Sequence, residues 1–153
     1  MKPYDIIGAL RTYATHEDQD WIFLSGPNWM QDYEATQAEY AAGQLVLGAD
    51  FQEAIPTRRN GVVSEIKYPG ILVLGRKFDS ALAGTHVNLD ETFIQKYDSR
   101  LLDLTTAMSN FIKEFVCENG LDTENENMSL RLNSLDETID FAVNRITFVG
   151  EGS

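Results

Sequence analysis

Residues 90–119 read DETFIQKYDSRLLDLTTAMSNFIKEFVCEN. Phe93, Tyr97, Leu101, Leu104, Met108, Phe111 and Phe115 follow one another at steps of four and three. Ile94, Leu102, Ile112 and Val116 widen the same stripe. This is the period of an amphipathic helix with one buried face. Gln95, Lys96, Asp98, Ser99, Asp103, Asn110, Lys113 and Glu114 supply the wet face. Asn88, with Glu91 three residues later, suits a capping box at the start. Gly120 suits the position just past the end. Such a helix is roughly 40 Å long at about 1.5 Å per residue, and its apolar face needs a sheet or a second helix to cover it.

Before this stretch the pattern is different. Residues 3–15 predict a short amphipathic helix, with Pro3 in its first turn and Ile6, Ile7, Leu10, Tyr13 and Ala14 at helical spacing. Thr15 to Asp20 is a polar, acidic connector, and Trp21 to Leu24 is an apolar run stopped by Gly26-Pro27, as a buried strand would be. Residues 28–43 are ambiguous, with a short helix or turn expected at 28–36. Gln44 to Gly48 reads as a strand, continued to Ala54-Ile55-Pro56. Thr57-Arg58-Arg59-Asn60-Gly61 reads as a loop tip, because Asn-Gly is a hairpin turn signal. Val62–Tyr68 and Ile71–Gly75 read as two strands, or one long strand kinked at Pro69-Gly70.

After the long helix, Leu121 to Asn127 is polar enough to read as an exposed loop. Ser129–Leu132 and Ile139–Val149 alternate as strands do. A shift in the pattern between Val143 and Ile146 suggests a bulge there. Strands and helices are therefore segregated. The expectation is one α+β domain over residues 1–153, with an antiparallel or mixed sheet of about four to six strands. The long helix at about 90–119 and the short N-terminal helix pack on one of its faces.

The charge balance narrows the functions. There are 24 acidic and 12 basic residues, for a net charge of −12. Nucleic-acid affinity rests on lysine and arginine neutralising phosphates, so neither a nucleic-acid reader nor a binder of anionic membranes is expected. No segment approaches the roughly 20 apolar residues of a membrane span. The start of the chain lacks the apolar run of a signal peptide. The single cysteine, Cys117, forms no internal disulfide and reads as a small buried thiol.

Motifs that carry chemistry are absent. There is no phosphate-binding G-x-x-x-x-G-K-S/T loop, no G-x-G-x-x-G after a strand and no G-x-S-x-G elbow. Gly70 and Gly75 punctuate strands. His16, Glu17, Asp18 and Asp20 crowd one connector, but a metal site needs ligands converging from separate elements. The other histidine, His86, lies near the start of the long helix. The pairs Asp90-Glu91, Asp136-Glu137 and Asp18 with Asp20 read as solvated acids, since nothing isolates one of them in an apolar pocket. Trp21 and Trp29 flank Gly26-Pro27 and read as core and its rim. No catalytic, cofactor-binding or metal-binding residue is assigned. Arg58-Arg59 is the one feature whose sign opposes the rest of the chain, and it is the candidate interface.

In the order of its elements the chain resembles the tail-terminator, or tail-completion, proteins at the head–tail junction of phages and prophages. The resemblance lies in the short helix at Tyr4–Tyr13, the Trp-containing strand Trp21–Leu24 and the strand pair Leu45–Leu47 and Ile66–Leu74. The long helix and the closing strand Phe141–Phe148 complete it. It implies a non-enzymatic virion protein without cofactors. Such a protein forms a ring, usually a hexamer, that caps the tail tube and joins it to the neck proteins. The resemblance also implies assembly in the host cytoplasm and then residence in the virion tail or neck. An acidic ring suits DNA passage, because repulsion keeps the polyanion from sticking. The alternative is a small acidic adaptor or inhibitor, a DNA mimic being one form of it, that binds a basic protein.

Overall fold

A computed structural model describes residues 3–16, 19–28, 44–77, 102–132 and 139–151. The elements run α1 (Pro3–Thr15), β1 (Ile22–Ser25), β2 (Leu45–Asp50), β3 (Ile55–Arg59), β4 (Val62–Lys77), α2 (Leu102–Asn119), β5 (Asp122–Leu132) and β6 (Ile139–Glu151). The fold is α+β, with a six-stranded mixed sheet in the order β1-β2-β4-β6-β5 and β3 also paired to β4. The β1–β2 pair is parallel and every other pair is antiparallel.

The centre of the sheet is β4. It runs unbroken through Pro69-Gly70 for 16 residues and pairs with β6 along most of its length. On its other side it changes partner: Val62–Lys67 faces β3 and Ile71–Arg76 faces β2. Pro69 falls in the gap between these two partners. A proline cannot donate to a ladder, and here β4 has no partner strand on that side among the described residues.

One face of the sheet carries both described helices. Leu47, Ala49, Tyr68, Leu72, Leu74, Ala142, Ile146 and Phe148 point from the strands into a core shared with Ile6, Leu10 and Ala14 of α1. From α2 come Leu104, Met108, Phe111, Ile112 and Phe115. Of the stripes expected, α1 buries Ile6, Leu10 and Ala14, and α2 buries the part from Leu104 to Phe115. Trp21 stacks on Phe111 at 5.1 Å between ring centroids, and Phe115 meets Phe148 edge-on at 5.3 Å. The opposite face holds a smaller cluster of Val46, Val73 and Phe141, flanked by Ile22, Leu24, Ile71 and Val143.

α2 ends as its sequence predicts. The Leu121 amide donates to the Val116 carbonyl at 3.0 Å across Gly120, whose φ is 62°. The stretch 90–101, with Phe93, Tyr97 and Leu101, lies outside the described residues, as do the Asn88–Glu91 cap and all but Asn28 of the helix or turn expected at 28–36.

Several expectations are corrected. Leu102 and Cys117 are exposed. Each sits two positions from a buried residue, Leu104 and Phe115, and so about 200° around the axis at about 100° per residue. Residues 122–127 form the first half of β5 and are not a loop. Among the described strands β5 lies at the sheet edge, which suits polar residues, and pairing with β6 supplies the order that propensity lacks. The bulge belongs to β5, between Glu124 and Asn127, while β6 keeps an even register with β4 from Ile139 to Glu151. Phe141 and Val143 therefore face one side of the sheet, and Ile146 and Phe148 the other.

Candidate interaction surfaces

Arg58 and Arg59 belong to a projecting hairpin. They lie within β3, and only Asn60 and Gly61 form the turn, with φ of 53° and 78°. Two successive positive φ values make the tight turn that matches strand twist, and the second falls on the residue best able to adopt it. Glu65 is the first β4 residue to pair with β6, opposite Glu151. Beyond it, Val62, Val63 and Ser64 have β3 as their one partner strand among the described residues. The register shifts between Thr57 and Arg58, leaving Ser64 as the extra residue, and its hydroxyl donates to the Thr57 carbonyl at 3.1 Å.

Cross-strand pairing assigns the faces of this hairpin, since paired residues share a side. Ile55, Thr57, Arg59, Val62, Glu65 and Lys67 lie on one face, with Arg58 and Val63 on the other. Both arginines are exposed. Ile55 and Val62 are also exposed, at 43% and 68%. At the base, Lys67 reaches across to Glu124 at 2.8 Å. That contact holds the Lys67 ammonium pKa above its ordinary value. The tip itself, Ile55 to Ser64, contains two arginines and no acid.

A second surface lies between the helices. Thr12, Tyr13, His16 and Gln19 from the end of α1 and the connector after it face Glu114 and Glu118 of α2 across an open groove of about 560 Å³. Tyr13 organises it. Its hydroxyl donates to Glu114 Oε2 at 2.6 Å, and its ring meets Phe111, His16 and Phe115 edge-on at 5.2, 5.5 and 6.2 Å. Partial burial and the bond to the Glu114 carboxylate push the Tyr13 phenol up to about 12. The connector is shaped by the Gln19 and Asp20 amides, which both donate to the His16 carbonyl, and by Asp20 at a φ of 52°.

A shallower notch of about 350 Å³ opens at the gap between β2 and β3. Asp50, Gln52, Glu53, Pro69, Gly70, Ile71 and Arg145 line it.

His16 thus enters a groove with α2 carboxylates, a juxtaposition not expected from its connector. Glu17 and Asp18 lie outside the described residues, as do Trp29, His86 and the pairs Asp90-Glu91 and Asp136-Glu137. Among the described residues no group of three or more metal-ligating side chains converges, and no helix is long and apolar enough to cross a membrane. Sequence reasoning missed the groove because Tyr13 and Glu114 are 101 positions apart. Neither position carries a local signal beyond its place on a helix. Compared with protein-family models and with curated proteins, the chain matches none.

Proposed function

We propose that this chain is a structural, non-enzymatic protein of a phage-like tail and neck, which assembles as a ring on the end of the tail tube. The observation that carries this reading is the basic hairpin. In a chain of net charge −12, Arg58 and Arg59 stand exposed on a two-stranded projection beside uncovered Ile55 and Val62. Such a projection suits contact with a surface of opposite sign and some apolar character, and copies of the chain are strongly acidic. The resemblance in element order supplies the tail and neck context.

Light scattering on the size-fractionated protein, alone and with tail-tube protein, tests the proposal. The expected result is a closed oligomer, a hexamer by the resemblance, whose formation weakens with salt. A chain that stays monomeric in both conditions refutes it. The second reading, an acidic adaptor or inhibitor, draws on the exposed acids Asp122 and Glu126 along the β5 edge. Salt-sensitive capture of one basic enzyme by the monomer favours that reading.

A further inference from the structure

We propose that the arginine hairpin of one copy docks in the groove between α1 and α2 of the next copy. This rests on the ring reading and names the two surfaces that meet. The hairpin offers two guanidinium groups on opposite faces of a two-stranded ribbon with a tight turn. The groove offers the complementary chemistry. Glu114 and Glu118 line it, and among the described residues no lysine or arginine does. Tyr13 adds an aromatic ring, and its hydroxyl bonds Oε2 of Glu114, one of the two carboxylates in the lining.

A guanidinium is recognised by planar carboxylates and by aromatic faces. The groove volume lies in the ordinary range for ligand sites, roughly 300–1,000 Å³. The notch beside Gly70 is the poorer acceptor, because Arg145 already stands among its acids. The hairpin projects from the sheet and the groove lies between the helices, so the two patches are distinct. A contact between them is heterologous, the kind whose repetition builds a ring when its rotation closes.

The test is a charge-reversal mix. One variant carries Arg58→Glu with Arg59→Glu, the other Glu114→Lys with Glu118→Lys. Each alone should self-associate roughly a hundredfold more weakly, the scale on which facing like charges act. Mixed in equal amounts, acidic hairpins meet basic grooves and basic hairpins meet acidic grooves. Association should return, in even-numbered assemblies of alternating copies. Circular dichroism checks folding. If the double groove variant fails to fold, Glu118→Lys alone replaces it and should still weaken association at least tenfold. Variants that assemble like the wild type, or a mixture that stays dissociated, overturn the pairing while the ring reading stands. A wild-type chain that is monomeric at every concentration and with the tube protein overturns both.

Discussion

Gly70→Ala should be among the most damaging single-methyl additions to this sheet. A Cβ at Gly70 would lie 2.3 and 2.5 Å from Phe51 ring carbons and 2.5 Å from the Asp50 carbonyl oxygen. Unstrained carbon contacts are about 3.5–4.0 Å. Neither neighbour retreats easily. Phe51 is 5% exposed and packs on Phe148 at 5.4 Å, and the Asp50 carbonyl belongs to the last paired residue of β2. The cost should reach the upper end of overpacking, about 3 kcal/mol. At roughly 2–4 °C per kcal/mol for a chain of this size, Tm should fall by about 6–12 °C. Urea unfolding followed by circular dichroism measures it. Gly8→Ala is the control: the Cβ meets nothing within 4 Å on α1, and the change should stabilise by about 0.5–1 kcal/mol. Phe51→Ala clears two of the three contacts, so the double variant should lose at least about 1 kcal/mol less than the sum of the singles. Gly70→Ala within about 0.5 kcal/mol of wild type would refute the close approach of Phe51 to β4.

Three further predictions concern the turn, the buried amide and the groove. Gly61→Ala should destabilise by about 1 kcal/mol, read from the urea midpoint, because an alanine at φ 78° is strained. Asn144 is fully buried, donates to Glu126 Oε1 at 2.9 Å and leaves its Oδ1 without a partner among the described residues. Asn144→Leu should therefore be nearly neutral by the same urea midpoint, whereas Glu126→Ala should cost about 1–3 kcal/mol by stranding the amide. The Tyr13 phenol is raised from 10.0 to about 12, so the folded chain keeps a proton that the unfolded chain loses. Its contribution to stability is intact below pH 10 and declines as pH rises from 10 to about 12. Tyr68, raised by burial, acts in the same direction. Absorbance titration should show one fewer late-ionising tyrosine in Tyr13→Phe.

What the sequence determined by itself was whatever rests on local period and turn chemistry. The stripes of α1 and α2, the helix stop at Gly120, the Asn60-Gly61 turn and the strand character of β2, β4 and β6 all follow from spacing that one element displays alone. Tertiary structure decided the rest. The first half of β5 is polar and became a strand because β6 offered it a ladder. The bulge moved from β6 to β5 because register is a property of a pair. β4 stayed whole through Pro69-Gly70 because its neighbours change there. The groove joins residues from the two helices, a proximity that periodicity along the chain does not encode. The charge of Arg58 and Arg59 was plain in the chain, but their place on a projecting ribbon, opposite in sign to that groove, came from the fold.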